Sequence, residues 1–413
     1  MIDKKNIRVL FYNSVVYLPG EGGYKRTMYL FDMMRSMGYD VTLVTTDFNH
    51  YAKKKRDVTK FRREYPEYSD IIILPAIPYT KNISIKRWLS GMVYKRTFMK
   101  WFKQNCHNYD LVYTNMPGAE TNIAMSKVCK KHNVKMIVDV RDLRPEVFRV
   151  LLKKEWLYKI VTYKMKLDAD KAYDIADELL AVSNEYLQRG LNANNHCRNP
   201  KAIYIGAILD KFYNGIEKYA SGIHKPDGEI WATYAGTLGT TYDLYTLMDV
   251  AKSLQNKGYK KLRFKILGQG PEAEPLKRYV QTKEVENVDF IGFVDYEMMA
   301  AYLSKSDMTI NSLKARASQS IINKVADYFA AGIPILNGSL CKEMRDLVDD
   351  YKTGVNFEPE NVESLEKAIL YIVNNPEKSK EYGINAKALA LEKFDRKTSY
   401  LEIIKTIEEV AKY

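Results

Sequence analysis

The sequence predicts an α/β protein with two Rossmann-like domains, each a parallel sheet covered by helices. Short apolar strands alternate with amphipathic helices along the chain, as they do in parallel α/β proteins. The alternation falls into two successive sets that share no detectable repeat. A length of 413 residues exceeds one ordinary core and suits two domains of roughly 200 residues each.

The first set holds six predicted strands. They are residues 7–13, 40–46, 71–76, 111–115, 135–140 and 178–183. The helix after the first strand, near residues 24–37, ends at Gly38, which is a suitable C-cap. These elements define an N-terminal domain of residues 1–200.

The second set follows a turn-rich stretch at residues 192–228, and we expect the linker near residues 195–215. Its predicted strands are residues 229–236, 263–268, 288–293, 308–313 and 333–337. A final helix over about residues 397–412 carries an apolar packing stripe. The expected C-terminal domain is therefore residues 201–395, followed by residues 396–413, which contain that helix.

Composition excludes several classes of protein. Hydrophobic residues make up 46% and charged residues 28% of the chain, which is globular rather than disordered. No secretory signal is visible at the N-terminus, and no run of about 18 apolar residues could span a membrane. Four scattered cysteines and five histidines predict reduced thiols and no structural zinc. We expect a cytoplasmic protein.

Two glycine-rich turns follow predicted strands. Gly22 and Gly23 lie between the first strand and its helix, and Gly268 and Gly270 end the strand at 263–268. Glycine lets the backbone approach a ligand, and open α/β sheets bind ligands outside the carboxyl ends of their strands. If the two domains face each other, both turns border one cleft. Ordinary strand-to-helix turns are the alternative.

The richest segment in polar groups is residues 312–336. A strand leads into a loop with Lys314, Arg316, Gln319 and Ser320, and a helix is predicted from about Ile321 to Ala331. The basic side chains, together with Lys324 and the helix N-terminus, would favour a phosphate. Asp327 could accept hydrogen bonds from a ribose diol. A basic surface loop and a solvated helix carboxylate are the alternatives.

The C-terminal half resembles glycosyltransferase family 4, retaining enzymes of GT-B type with two facing Rossmann-like domains. The resemblance covers nearly the whole second domain, in the stretches YAGTLG (234–239), ILGQGPE (266–272), FIGFVDYEMMAAYLSKSDMTINSL (290–313) and NKVADYFAAGIPIL (323–336). GGYKR (22–26) and VDVRDLRPE (138–146) resemble the subgroup that builds bacterial capsule, O-antigen and colanic-acid-like polysaccharides. The terminal helix resembles the family's segment that crosses back onto the first domain.

The resemblance implies roles for individual residues. Gly22 and Gly23 would border the donor diphosphate. The Gly268–Gly270 loop and the stretch Ile291–Val294, which includes Phe293, would flank the nucleobase. Ser320 and Ile321 would also border the donor. The family's Glu-x7-Glu pair falls on Gln319 and Asp327. Asp327 keeps the ribose-binding carboxylate, whereas Gln319 replaces the one that contacts the donor sugar.

A second departure from the family lies between Gly236 and Asp243. Many members place an arginine and a lysine there for the diphosphate, whereas this chain has Thr237 and Tyr242. The cationic role would pass to Lys324, Arg316 or Lys314.

The family implies retaining transfer with front-face attack, in which the departing diphosphate takes the acceptor proton. Cations would stabilise that charge without a metal or other cofactor. The Asp-x-Asp at Asp168–Asp170 is read as a charged helix face rather than a metal site. Asp142 is the candidate acceptor contact, with capping of the following turn as the alternative.

The predicted N-terminal domain contains a basic stretch. Residues 50–103 hold fourteen Lys or Arg and four Asp or Glu, in a chain of net charge +13. The overlapping segment 83–105 interleaves cations with aromatic side chains, and one helix of that kind can lie on an anionic membrane surface. The alternative, which the sequence supports equally, is that the aromatic residues pack into the core of the domain. We expect no nucleic-acid partner, because no recognition motif accompanies the charge.

Three functions compete at this point. The favoured one is a hexosyl- or N-acetylhexosaminyl-transferase that moves a sugar from a UDP-linked donor, in preference to a GDP-linked one, to a lipid-diphosphate-linked or polysaccharide acceptor. Such an enzyme would be cytoplasmic or peripheral on the inner face of the cell membrane. A sugar-nucleotide epimerase shares the fold but needs an acid–base set. A degenerate binding subunit would account for Gln319, Thr237 and Tyr242.

Overall fold

The computed structural model describes residues 7–22, 26–81, 84–150, 152, 154–317 and 321–412. The chain forms two compact units. The first contains the residues up to Ile203 and those from Tyr400 onward, and the second contains Tyr204–Ser399. The boundary between Ile203 and Tyr204 falls inside residues 195–215, where the sequence places the linker.

The first unit is built on a parallel sheet with one small hairpin beside it. Its strands are β1 (Arg8–Tyr12), β2 (Asp40–Thr46), β3 (Phe48–Asn49), β4 (Lys54–Lys55), β5 (Ile71–Leu74), β6 (Leu111–Met116), β7 (Lys135–Val140), β8 (Glu178–Ala181) and β9 (Lys201–Ala202). The order across the sheet is β5-β2-β1-β6-β7-β8-β9, and β3 pairs with β4. All six predicted strands are present. The hairpin and β9 are too short to show a periodicity in the sequence.

Helices connect these strands. They are α1 (Arg26–Ser36), α2 (Val58–Glu64), α3 (Ile85–Asn105), α4 (Ala119–His132), α5 (Glu155–Asp174) and α6 (Asn184–Leu191). The central strands β1, β6 and β7 are buried almost throughout, which their near-continuous apolar sequences require.

The second unit has its own parallel sheet. Its strands are β10 (Ile230–Ala235), β11 (Leu262–Leu267), β12 (Val288–Gly292), β13 (Met308–Asn311), β14 (Ile335–Asn337) and β15 (Gly354–Asn356), in the order β12-β11-β10-β13-β14-β15. The order reverses at β10, so the carboxyl ends of β10 and β13 frame a crevice of the kind where such sheets bind ligands. The five predicted strands are confirmed, and β15 was missed.

The helices of this unit flank the sheet. They are α7 (Leu209–Tyr219), α8 (Leu244–Asn256), α9 (Ala273–Thr282), α10 (Tyr296–Lys305), α11 (Lys324–Ala330), α12 (Lys342–Asp350), α13 (Val362–Asn374) and α14 (Pro376–Leu389). The helix predicted from about Ile321 begins three residues later, at Lys324. The two sheets with their helices confirm the predicted fold class of two Rossmann-like domains.

The final helix, α15 (Arg396–Val410), spans the second division of the chain. Beyond Ser399 its buried side chains join the core of the first unit, next to Phe31 and Met34 of α1. They are Tyr400, Ile403, Ile404, Ile407 and Val410. The apolar stripe seen in the sequence is therefore a core-packing surface.

Helix α3 settles part of the question about the basic aromatic segment. Tyr94, Phe98 and Phe102 are buried, and the Phe98 ring lies 4.1 Å from that of Tyr12, between centroids. Most of the aromatic residues therefore pack into the first unit. Trp88 in the first turns of the helix is 63% exposed. No helix of the described residues is long and apolar enough to cross a membrane.

Candidate functional site

Three loops at the carboxyl edge of the second sheet are joined backbone to backbone. The Gly236 N–H donates to the Leu267 carbonyl at 2.9 Å, and the Gly268 N–H donates to the Gly292 carbonyl at 2.7 Å. The Leu238 N–H donates to the Gln269 carbonyl at 3.0 Å. The loops after β10, β11 and β12 therefore form one fixed floor to the crevice.

Glycine is required where these loops meet. A Cβ on Gly268 would lie 1.8 Å from the Gly236 carbonyl oxygen, and one on Gly270 would lie 2.2 Å from the Leu238 carbonyl oxygen. Gly268 also has a φ of +132°, which L side chains rarely adopt. The two glycines predicted to let the backbone approach a ligand are thus needed first for loop-to-loop packing.

Lys324 is the central cation of this crevice. Its Nζ is buried 3.7 Å from the centre of the Tyr234 ring and 4.2 Å from that of Tyr242. Cation–π contacts to two rings hold the ammonium group from two sides. Within the part of the chain that the structure describes, this atom has no hydrogen-bond partner.

Burial shifts the proton equilibrium of this side chain. It lowers the pKa of Lys324 well below the usual value for lysine, because a desolvated ammonium group lacks compensation. A buried cation without hydrogen-bond acceptors is costly, and an anion in the crevice would supply them. The arrangement can therefore bind a phosphate group.

Asp327 lies one turn further along α11. Its Oδ1 accepts a hydrogen bond of 2.7 Å from the hydroxyl of Tyr296, at the start of α10. Burial raises the pKa of Asp327 to about 6, against the opposing effects of Tyr296 and Arg396. The carboxylate is thus oriented, and it is not the solvated helix residue that was the alternative.

The other predicted donor residues of this unit differ in exposure. Lys314 is half-buried and Arg316 is exposed on the loop after β13. Ile321 packs beside the core that contains α11, whereas Phe293 is 66% exposed in the loop after β12. The Lys314 backbone N–H donates to the Thr241 carbonyl at 3.1 Å, which fixes its loop to the one after β10.

Three predicted residues lie outside the described residues: Gly23, Gln319 and Ser320. Gly22 is described, with a φ of +53° in the loop that follows β1. That positive φ accounts for a glycine there independently of any ligand.

The two motifs of the first domain meet in one ion pair. Arg26 of the motif GGYKR contacts both carboxylate oxygens of Asp139, at 3.1 and 3.2 Å. Arg141 and Tyr113 also donate to Asp139, at 2.6 and 2.8 Å. These contacts hold the pKa of the buried Asp139 carboxyl far below its usual range, although desolvation opposes them. Asp139 is a structural residue that joins β7 to α1.

Asp142 follows β7 and lies near the surface of the first unit. Burial raises the pKa of its carboxyl, although Arg144 lies 3.8 Å away and lowers it. The Leu143 backbone N–H also donates a hydrogen bond to the Asp142 carboxylate, as in the alternative role of capping the following turn. A carboxyl group with a raised pKa at the carboxyl edge of a sheet is suited to contact a hydroxyl group.

Sequence reasoning missed the aromatic partners of the site. Tyr234 and Tyr296 stand in stretches that carry the family resemblance, and Tyr242 was noted only as a replacement for a cation. Nothing in their spacing shows that Tyr234 and Tyr242 surround Lys324. The available signal was Lys324 itself. It lies three residues before Asp327, which occupies a carboxylate position of the family, in a chain that lacks the family's usual arginine and lysine between Gly236 and Asp243.

The described residues contain no group of three or more His, Cys, Asp or Glu side chains that could hold a metal ion. Asp168 and Asp170 instead pair with Lys164 and Lys166 along α5, each at 2.6 Å.

Comparison with known families places this crevice in a defined class of domain. Residues 216–389 match the family model of the glycosyl transferases group 1. The match lies within the second unit and includes Lys324, Asp327 and the three joined loops.

Relatives extend the likeness to the first unit. The uncharacterized glycosyltransferase MJ1069 of Methanocaldococcus jannaschii is 22% identical over 404 residues, which are 95% of this chain and 96% of that protein. The putative colanic acid biosynthesis glycosyl transferase WcaI of Escherichia coli is 22% identical over 188 residues, 45% of this chain and 46% of that protein. With the domain match, these relatives identify the protein as an enzyme, a glycosyltransferase.

The fold has close counterparts among solved structures. HepE of Anabaena, solved in complex with UDP, aligns with a TM-score of 0.69 at 14% identity, over 98% of this chain and 100% of that chain. At this identity the likeness concerns the fold, and it confirms the GT-B type predicted from the sequence.

Proposed function

We propose that the protein is a retaining transferase of glycosyltransferase family 4 that uses a UDP-linked sugar and binds its diphosphate at Lys324. The observation that carries the proposal is the buried Lys324 Nζ, held between two tyrosine rings with no hydrogen-bond acceptor in the described part of the chain. A UDP complex of a protein with the same fold supports the choice of nucleotide.

We assign the donor residues the roles that the family resemblance implies. Lys324 neutralises the charge that develops on the diphosphate as the bond to the sugar C1 breaks. The Asp327 carboxylate, oriented by Tyr296, accepts hydrogen bonds from the ribose diol. The glycine loops and Phe293 border the nucleobase. Lys314, Arg316 and Ile321 line the remaining donor surface. For Ser320 and Gln319 the family resemblance alone assigns the roles, Ser320 beside the donor and Gln319 at the donor sugar in place of a carboxylate.

Transfer then proceeds by front-face attack. The acceptor oxygen bonds to C1 on the face from which the diphosphate departs, and its proton passes to the departing phosphate oxygen. This chemistry needs neither a metal nor a protein nucleophile. The family resemblance assigns Gly22 and Gly23 to the donor diphosphate, and we assign Asp142 to the acceptor hydroxyl.

The proposed acceptor is a lipid-diphosphate-linked or polysaccharide glycan of the bacterial cell surface. The motifs at 22–26 and 138–146 and the likeness to a colanic acid transferase support this assignment. The reaction is placed in the cytoplasm, at the inner face of the membrane.

Membrane contact is proposed at the start of α3 rather than along its whole length. Tyr94, Phe98 and Phe102 pack inward, so residues 83–105 as a whole do not form a free apolar face. Ile85 and Trp88 remain exposed beside Lys86 and Arg87. Flotation with vesicles containing anionic phospholipid tests the contact, with Trp88→Ser expected to weaken it and neutral vesicles as the control.

A panel of nucleotide sugars tests the proposed function. The purified protein is incubated with UDP-, GDP-, ADP- and CMP-sugars, and released nucleotide, isomerised sugar nucleotide and thermal stability are measured. Stabilisation by one nucleotide is expected, by about 2.7 kcal/mol at a hundredfold excess over its Kd. That stabilisation should be lost in Asp327→Ala.

Each outcome identifies one of the competing functions. Release of nucleoside diphosphate that depends on an acceptor indicates a transferase, and an isomerised sugar nucleotide indicates an epimerase. No stabilisation by any nucleotide would overturn the donor site and favour a binding subunit.

A further inference from the structure

A second cationic cluster lies in the first unit, away from the donor residues in sequence. Its members follow the carboxyl ends of three strands. His50 stands in the β3–β4 hairpin after β2, Arg87 in the first turn of α3 after β5, and Arg144 after β7. Lys53 shares the hairpin with His50, and its Nζ lies 3.5 Å from the His50 Nδ1.

Tyr79 is the common surface of this cluster. Its hydroxyl hydrogen-bonds to His50 Nδ1. The Lys53 Nζ lies 5.1 Å and the Arg87 Cζ 5.9 Å from the centre of its ring. Cations from a hairpin and from a helix thus converge on one buried tyrosine.

The electrostatics of the cluster are repulsive. Burial, followed by Lys53, Arg87 and Arg144, lowers the pKa of His50 to about 4. Burial and Arg87 lower the pKa of Lys53. The pKa of Arg144 is lowered by burial and by Arg87, despite the opposing carboxylate of Asp142. A site that disfavours its own positive charge becomes more stable when it binds an anion.

Two details of the backbone and side chains fit a ligand site. The Nε of Arg144 is buried and makes no hydrogen bond within the part of the chain that the structure describes, its ion-pair partner Asp142 being too distant for one. Lys53 adopts a left-handed conformation, with a φ of 55°, where glycine or asparagine would cost less. Backbone strain of this kind concentrates at functional sites.

From this convergence we propose that His50, Lys53, Arg87 and Arg144 form a phosphate-binding site at the carboxyl edge of the first sheet. A diphosphate fits better than a carboxylate, because several cations approach from different elements and can contact separate oxygens. Asp142 Oδ2, 3.8 Å from the Arg144 Nε, leaves the cluster net positive and can receive a hydroxyl group beside the phosphate.

The phosphate site stands on its own geometry, whereas its assignment to the acceptor rests on the proposed function. Under that function the site holds the phosphate that links the acceptor glycan to its carrier. The specificity of the enzyme would then depend on the phosphate as well as on the sugar.

Titration calorimetry of the full chain, with UDP present to fill the donor site, tests the proposal. The probes are inorganic pyrophosphate and farnesyl diphosphate. Arg144→Gln and Lys53→Gly should each weaken pyrophosphate binding at least tenfold. Lys53→Gly relieves the left-handed strain, so its thermal stability should not fall. Arg63→Gln, an exposed arginine of α2 in the same basic stretch, is the matched control and should bind like the wild type.

A spectroscopic readout separates a binding site from a merely structural cluster. The imidazole proton signals of His50, assigned with His50→Gln, should titrate at higher pH when pyrophosphate is bound. Tighter binding of farnesyl diphosphate than of pyrophosphate assigns the site to a lipid carrier, and equal binding assigns it to a free phosphate group.

The proposal is overturned if both variants bind pyrophosphate within twofold of the wild type, or if the His50 titration does not move. Failure of the proposed function is a different result. If UDP does not bind, the donor site falls, and the same pyrophosphate titrations are done in a Lys324→Met background.

Discussion

Gly236 gives Lys324 its space. A Cβ at position 236 would lie 3.3 Å from both the Cδ and the Nζ of Lys324, tighter than ordinary contact. The backbone of Gly236, with a φ of +150°, also accepts the close approach of the Gly268 loop. One glycine thus allows both the loop junction and the position of the cation.

Replacing Lys324 by methionine should separate stability from binding. Methionine fills a similar volume between the tyrosine rings without a desolvated charge, so we expect the free energy of unfolding to rise by about 1–3 kcal/mol. Affinity for UDP should fall tenfold or more, because the phosphate loses a charged partner. Chemical denaturation and calorimetry measure the two effects, with Lys260→Met, at an exposed position, as the control. A variant that binds UDP normally would contradict the site.

Above about pH 7, where Asp327 is already ionised, binding of the donor should be coupled to proton uptake. Burial lowers the pKa of Lys324 in the free protein, and a bound diphosphate raises it again by charge attraction. Calorimetric enthalpies of UDP-glucose binding in buffers of different ionisation enthalpy measure the protons exchanged. Uptake should disappear in Lys324→Met, and equal uptake in both proteins would exclude Lys324 as its source.

Asp327→Asn should change how stability depends on pH. The pKa of Asp327 is raised to about 6 in the folded state from 3.8, so its contribution to stability is fully present below about pH 4 and is lost as the pH rises through 6. The variant should therefore gain on the wild type from pH 4 to pH 7, by at most roughly 3 kcal/mol. Denaturant unfolding at five pH values tests this, with the exposed Asp350→Asn as the control.

The same residue should make donor binding depend on pH. UDP-glucose affinity of the wild type should rise as the pH passes through about 6, because ionised Asp327 is the better acceptor for the ribose hydroxyls. UDP-glucose is the suitable ligand, since its diphosphate does not titrate in that range. A parallel rise in Asp327→Asn would assign the effect to another group.

Gly268→Ala should damage the donor unit. The new Cβ would overlap the Gly236 carbonyl oxygen at 1.8 Å, so the loops after β10 and β11 must separate. We expect a loss of stability above about 2 kcal/mol and loss of UDP binding. Gly222→Ala is the matched control, since nothing lies within 4 Å of its Cβ and its φ is not positive. Similar unfolding curves for the two variants would contradict the packing argument.

Asp139→Asn should destabilise the protein by about 3–5 kcal/mol, because it leaves the buried charge of Arg26 only partly compensated. Asp139 has a lowered pKa, so its stabilising contribution is present at neutral pH and is lost as the pH falls toward its folded value. The difference between variant and wild type should therefore shrink in acid. Unfolding at pH 7 and pH 3 measures it.

The parts of the fold that sequence could predict are those with a strong periodic signal. Every predicted strand has a run of apolar residues and is found within about two residues of its predicted ends. Strands β9 and β15, with the sequences KA and GVN, contain no apolar run, whereas the equally short β14 overlaps the apolar stretch IPIL. Their pairing depends on neighbours distant in sequence.

The site could be predicted only as far as residue types and family positions reach. Asp327 and Lys324 were predicted in this way, and the structure buries Asp327 and the Nζ of Lys324. The tyrosines around Lys324 come from β10 and from the loop before α8, and only folding brings them to α11. The cluster at His50 was likewise hidden, because its four residues spread from position 50 to 144.

Helix α15 has a consequence for the order in which the chain matures. Its residues from Tyr400 onward complete the core around α1, and Tyr400 itself contacts the buried Arg26. Residues 7–203 leave the ribosome long before this segment exists. The core of the first unit therefore cannot be completed until the whole second unit has been translated. Until then the apolar surface around α1 stays uncovered and can bind chaperones, and a chain truncated before Tyr400 never covers it.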